Sequence, residues 1–465
     1  MRRLAACLAC LACLLALAAA HAQEAGPREP GRLALVGGRL IDGFGHAPIR
    51  DSVVLISGGR IEAVGTTATL AVPEGYEVVS TEGHDVLPGL WESHAHLMLT
   101  GHADYPHWQA EYADRFASEI MPASAVQLLL AGVTSVRDLG APLEASVALK
   151  AAAARVEIPA PNLYMSGPFL QAAVEPWQSH YRWAVESPEA GRAMVRRLDE
   201  AGMDVVKVVD QDQMPDGAAR AIVDEAHARG MKVVGHSHRP DEIRVGLEVG
   251  VDNFEHTGLT TAPEYPADVI EALRERTATG RVAGGPLYWT PTVEGLWSFA
   301  ETVANPEKLD ADCWKRGLKP DTIADIEASI EEPGQLGYTQ LTPLRQPTLK
   351  RKIAQLREAG VVFLVGTDSG IPMKFHCQST WNEVDVLTRV MGMDPMSVIR
   401  SATYWPAVMM GVEEDFGTVS AGKVADVIAV DGDVLRHPAE LRDVDLVVKG
   451  GVVYKRDGRP VEDAL

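Results

Sequence analysis

Histidines and acids in this chain recur just past short apolar runs. His94 and His96 close the segment Pro88-Gly89-Leu90-Trp91-Glu92-Ser93-His94-Ala95-His96. On extended backbone alternate residues point the same way, so both imidazoles can offer a nitrogen to one cation. His236 follows Lys232-Val233-Val234-Gly235, with His238 two residues on. His256 follows Val251-Asp252-Asn253-Phe254-Glu255, and Asp368 follows Val361-Val362-Phe363-Leu364-Val365-Gly366-Thr367. Imidazole nitrogens with a carboxylate oxygen suit zinc or a similar borderline divalent metal. One such histidine is ordinarily a surface or hydrogen-bonded core residue. A series with one phase, always at the end of an apolar run, is a much more specific signal.

Lys207 sits inside Val205-Val206-Lys207-Val208-Val209. An ammonium in a buried strand is costly unless it is paired or modified. It can snorkel from a strand end or pair with an acid such as Asp210. Alternatively, carbon dioxide converts it to a carbamate, which can bridge two cations.

These residues need a scaffold that brings strand ends together. Apolar runs lie at 86–90, 133–136, 162–165, 205–209, 232–234, 251–254, 288–291 and 361–365, with amphipathic stretches such as 188–200 and 217–229 between them. Repeated strand–helix units predict an α/β fold, a distorted (β/α)8 barrel over 87–401, whose strand C-termini share one face. Segments 30–86 and 402–460 alternate with period two and carry glycine turns, which predicts one small β-sandwich built from both chain ends. The long gap at 294–358 is expected to cover one end of the barrel.

Composition narrows the function classes. The 465 residues are 46% hydrophobic and 23% charged, with a formal charge of −21. That excludes intrinsic disorder and opposes binding to nucleic acid or to anionic membranes. Arg2 and Arg3, the apolar run 4–20 and Ala20-His21-Ala22 read as a signal peptide over 1–22, so a secreted or periplasmic protein is expected, with no membrane segment in its mature form. Cys7, Cys10 and Cys13 fall in that leader; Cys313 and Cys377 remain, so a single disulfide is allowed and not required.

The motifs together resemble the amidohydrolase superfamily over about 33–455, through Pro88-Gly89 with His94 and His96, Lys207, His236, His256, Gly366-Thr367-Asp368-Ser369-Gly370 and the tail 417–426. Within it, Gly132-Val133-Thr134-Ser135-Val136-Arg137-Asp138-Leu139-Gly140 and Asn253-Phe254-Glu255-His256 resemble the imidazolonepropionase-related, prolidase-like branch. The resemblance implies hydrolysis of dipeptides, N-acyl amino acids and related amides, ochratoxin among them. It implies two divalent cations, zinc by preference. His94, His96 and Asp368 would hold one, His236 and His256 the other, with carboxylated Lys207 bridging. A hydroxide between the cations would attack the carbonyl, with Asp368 as proton shuttle. His238 stands where branch members often carry tyrosine. It is expected either to meet the oxyanion or substrate carboxylate, or to orient a ligand, and it competes with His236 as the fifth-strand donor.

Further expectations concern the pocket walls. His180, Tyr181 and Arg182 are placed in a loop after the third strand, as substrate contacts; Tyr288 and His376 are assigned to the same pocket. Strand alternation points Glu255 away from the metals, and His102 and His107 are read as lid or surface residues. A mononuclear deaminase or cyclic amidase is the alternative within enzymes. A non-catalytic solute-binding protein is the alternative outside them. The partner expected is a small amide substrate, with a homo-oligomer as a further expectation.

Overall fold

The computed structural model describes residues 31–257, 259–279 and 285–465; the leader expected over 1–22 lies outside the described residues. Strands Leu33–Val36, Ser52–Ser57, Arg60–Thr66 and Glu77–Ser80 form a four-stranded sheet. A six-stranded sheet draws on both chain ends: Val427–Asp431 pairs antiparallel with His84–Pro88 on one side and Val444–Lys449 on the other. Leu35 and Ile56 from the first sheet pack in one cluster with Val86, Val427 and Val448 from the second. The period-two pattern of these segments puts alternate apolar residues, such as Leu33, Leu35, Val54, Ile56, Val427 and Val448, on that shared face.

The middle of the chain is α/β with parallel sheets. Leu90–Ala95, Val133–Asp138 and Asn162–Met165 make a three-stranded sheet. A seven-stranded sheet runs in the order Arg182–Ala184, Phe169–Gln171, Val205–Val209, Lys232–His236, Asn253–Glu255, Tyr288–Thr290, Val362–Phe363. Backbone bonds connect the two on both sides. Asp204 N donates to Met165 O at 2.8 Å; across the other seam Ser93 N donates to Val365 O at 3.0 Å and Asp368 N to His94 O at 2.7 Å. The helices between them follow from local rules. In Pro188–Glu200 the Ser187 side chain caps the first turn by accepting from Ala190 N, and Val195 and Leu198 are buried while the arginines face out. Losing such a cap costs about 1 kcal/mol.

The sequence expectation fails in two places here. Residues 86–90 are not one strand. His84–Pro88 belongs to the end sheet, and the first parallel strand starts at Leu90. The break is at Gly89, whose backbone lies so close to Thr134 that an added Cβ would sit 2.1 Å from its Oγ1. Arg182 lies in a short strand, Arg182–Ala184, paired in parallel with Phe169–Gln171, and not in a loop. Three residues are too few for alternation to register.

Region 294–358 folds as short helices, including Gly295–Ala304, Pro320–Ser329, Gly337–Arg345 and Leu349–Glu358. It is fixed to the helix His376–Asp385 by a Cys313–Cys377 disulfide, beside which Trp314 stacks on Phe375 at 4.7 Å. Among the described residues no helix is long and apolar enough to cross a membrane.

Candidate metal centre

The strand ends deliver their donors to one cavity of about 590 Å³, lined by His94, His96, Lys207, His236, His238, His256 and Asp368. Two groups of potential ligands form there. His94, His96 and Asp368 have donor atoms within 4.8 Å of one another, and so do His236, His238 and His256. Asp368 Oδ1 is 2.9 Å from His96 Nε2 and 3.4 Å from His94 Nε2. His236 and His238 lie with ring centroids 3.6 Å apart, and His94 and His256 4.8 Å apart.

The backbone bends to achieve this. His256 (φ 74°) and Asp368 (φ 63°) adopt left-handed conformations, as does Asp210 (φ 52°) at the end of the Lys207 strand. Each such non-glycine residue costs of order 1 kcal/mol, a cost that clusters at functional sites. Gly366 lets the Asp368 segment run against the first strand; an added Cβ there would lie 2.8 Å from His94 N.

Charge follows from burial. Burial, reinforced by the cationic groups around them, holds His94, His236 and His256 well below the ordinary imidazole range, so their lone pairs are free for a metal. Burial likewise pushes His238 down to about 4, against the opposing pull of Asp368. For Asp368, burial favours the neutral acid, but His94, His96 and Lys374 outweigh it and hold the carboxyl well below the usual range. Burial pushes Lys207 down to about 8, with Glu255 and Asp368 pulling the other way. Its Nζ is buried and has no hydrogen-bond partner. The pairing with Asp210 does not form: Asp210 accepts from Gln171 at 2.7 Å and from Arg239 at 3.2 Å. An orphaned, readily deprotonated amine amid neutral imidazoles and one carboxylate fits a site for divalent cations.

Several residues that hold the centre went unread in the sequence. Glu255 points inward, contrary to the alternation argument, because His256 leaves the extended conformation and alternation stops there. Its Oε2 accepts from His94 Nδ1 at 2.7 Å, which turns His94 Nε2 toward the centre. Arg137 Nη2 donates to Glu255 Oε1 at 2.7 Å and its Nε donates to Ser93 O at 2.6 Å. Glu92 accepts from His94 N and Thr367 N at 2.9 and 2.8 Å, tying the first strand to the Asp368 segment. Lysine, arginine and glutamate inside apolar strands were the available signal; only Lys207 was used.

The walls follow the expectation in part. Tyr181 and Arg182 line the cavity, joined by Tyr105, Tyr338 and Arg345. Arg182 lies 4.8 Å over the Phe169 ring. His180 turns away, its Nε2 2.5 Å from Gln109 Oε1 and its ring stacked on Phe116. Tyr288 is not a pocket residue. It starts its strand and packs one layer deeper with Val205, Val234 and Leu364. His376 is fully buried beneath the pocket, bonded to Ser369 Oγ and Leu99 O, both at 2.9 Å.

The amidohydrolase family profile matches residues 86–454, and the chain belongs to that family. It is a hydrolytic enzyme acting on carbon–nitrogen bonds. An imidazolonepropionase from Hyphomonas neptunium is 24% identical over 84% of this chain and 90% of its own length. A prolidase crystallised with N-methylphosphonate-L-proline is 22% identical, covering 91% of this chain and 100% of its own, with a TM-score of 0.70. The ochratoxinase of A. niger is 21% identical over 92% and 96% of the two chains, with a TM-score of 0.67.

Proposed function

We propose that this chain hydrolyses the amide bond of a small carboxylate-bearing substrate, such as an N-acyl amino acid or dipeptide, at a two-cation centre bridged by carboxylated Lys207. The observation that carries this reading is the partnerless, buried Lys207 amine in the same cavity as two clusters of potential metal ligands. Burial lowers the Lys207 pKa to about 8, which raises the share of neutral amine at pH 7 above that of an ordinary lysine. Only the neutral amine can add to carbon dioxide.

Divalent cations at this centre, zinc by donor type, supply the charge that polarises a carbonyl and makes water nucleophilic near neutral pH. His94, His96 and Asp368 would hold one, His236 and His256 the other. Asp368 takes a proton from the attacking water and hands it to the departing amine nitrogen. His238, whose Nε2 is buried without a partner, faces the carbonyl oxygen as it gains charge. Arg182 and Arg345 each keep a buried Nε without a partner at the cavity wall, and guanidiniums of this kind suit a substrate carboxylate. The reading includes closure of the parallel strands into a distorted (β/α)8 barrel beside a β-sandwich of the two chain ends. The bonds across both seams and the shared hydrophobic cluster support it. The leader-like residues 1–22 and the Cys313–Cys377 disulfide support a secreted or periplasmic location.

Similarity to an imidazolonepropionase favours a second reading, a mononuclear cyclic amidase or deaminase with Lys207 unmodified. Elemental analysis of active protein, combined with a panel of N-acyl amino acids, dipeptides and cyclic amides, separates the two. Two cations per chain in the catalytic cavity, beyond any bound elsewhere on the chain, and turnover of the linear amides are expected. Full activity at one such cation per chain, confined to cyclic substrates, would replace the first reading with the second.

A further inference from the structure

A second donor set meets outside the catalytic mouth. His102 lies in the turn after the first parallel strand, His107 on the helix Tyr105–Tyr112, and Asp325 on the helix Pro320–Ser329 of region 294–358. None of the three lines the catalytic cavity. His107 Nε2 is 2.8 Å from Asp325 Oδ2, and His102 Nε2 is 3.6 Å from the same oxygen. The two imidazoles stack at 5.3 Å and 22°. All three donor atoms fall within 4.8 Å of one another.

Hydrogen bonding accounts for His107 and Asp325 but not for His102. The His102 side chain is 3% exposed, and its Nε2 has no hydrogen-bond partner. At 3.6 Å from the carboxylate it is beyond bonding distance. A proton on that nitrogen would be a buried orphan donor; a bare lone pair would face a carboxylate oxygen and be repelled. Either arrangement leaves a buried polar atom uncompensated. A cation shared with Asp325 removes both problems. Donors around a tetrahedral zinc ion bound at about 2.0–2.1 Å lie about 3.3 Å apart, and the observed 2.8 and 3.6 Å straddle that spacing. His102 Nδ1 lies 3.1 Å from the carbonyl oxygen of Asp104 and 3.0 Å from its N–H. In the tautomer with the proton on Nδ1, shared with that carbonyl, Nε2 is the bare atom that faces Asp325; in the other, Asp104 N–H donates to Nδ1 and Nε2 carries the orphan proton. His107 is 42% and Asp325 30% exposed, which gives a cation access and room for a water as fourth ligand.

We propose that His102, His107 and Asp325 form a separate divalent-cation site of zinc type, which clamps the helix 320–329 onto the loop and helix that follow the first parallel strand. The consequence reaches the pocket. Tyr105, on the His107 helix, and Tyr338, in region 294–358, meet at 3.2 Å between hydroxyls, and both line the catalytic cavity. Ala103 N donating to Ser329 Oγ at 3.1 Å stitches the same two elements. A cation here would hold two pocket walls in register without touching substrate.

The test counts zinc in the full chain after equilibration with zinc and removal of excess, in wild type, His107→Gln and Asp325→Asn. Both changes are at partly exposed side chains, so folding is expected to survive. Each variant should carry one zinc fewer per chain than wild type, whatever number the catalytic mouth holds. Added zinc should also slow protease cleavage within 294–358 in wild type more than in His107→Gln. Equal zinc content in all three proteins, or equal protection by zinc in wild type and variant, overturns the proposal and leaves the three residues as a hydrogen-bonded contact.

Discussion

The two halves of the candidate centre are built differently. His94 is braced by Glu255, which is itself held by Arg137, and the strand carrying it is tied to the Asp368 segment through Glu92. His96 leans on Asp368 directly. In the other half, His256 has Thr292 Oγ1 at 2.9 Å, while the His238 Nε2 has no partner and its ring crowds that of His236. In the first half a charged acid orients His94, while the His96 Nδ1 is buried without a partner. In the second, Gln211 and Trp289 hold the backbone of His236 and His256, but the outer ring partner is a neutral hydroxyl rather than a charged acid, so the rings are oriented less strongly than His94. Orientation by outer partners is worth about 10–100-fold in metal affinity, and the halves should differ on that scale.

The largest expected effect is at the junction between them. Asp368→Asn keeps the shape but cannot carry a proton, so kcat should fall by about 100-fold or more with far-UV spectra unchanged. A variant retaining a tenth of wild-type kcat would remove the shuttle. Next, Glu255→Gln should weaken one class of metal binding by about 10–100-fold in chelator competition. Thr292→Val, the matching change in the looser half, should cost less. If the threonine change proves equal or larger, the asymmetry is wrong.

The contrast between halves also marks what sequence could reveal. His94, His96, His236, His256 and Asp368 were readable because each stands directly after an apolar run, and the strand end supplies both position and direction. Depth along a strand was not readable. Tyr288 and Thr290 share a face, yet Thr290 reaches the Glu255 network while Tyr288, two residues earlier, lies in the layer below. Direction was lost wherever the backbone turned left-handed, which is why Glu255 was misassigned. Tyr338, Arg345 and Asp325 gave no local signal. They are ordinary helical residues until region 294–358 is laid over the barrel mouth.

The smallest effect concerns the support under Asp368. Burial holds His376 at about 4, below the ordinary 6.5, so the fold keeps it neutral. Below pH 6.5 the unfolded chain takes up a proton that the folded chain refuses. This contribution to stability is therefore present above 6.5 and is lost as pH falls toward 4. Denaturation midpoints should drop across that window in wild type and drop less steeply in His376→Gln, which can still bond to Ser369 and Leu99. Parallel slopes would show that the bonds, not the proton, define this residue's role.

One variant tests the carboxylated bridge most directly. Lys207→Ala leaves a hole in the cavity that holds both ligand clusters, where bound cations would repel each other across a poorly screened site. Loss of metal and of activity is expected, with part of both restored by added acetate or propionate, whose carboxylate can enter the hole and bridge as the carbamate would. Full metal loading and undiminished kcat in Lys207→Ala, with no response to the added acids, would contradict the bridge.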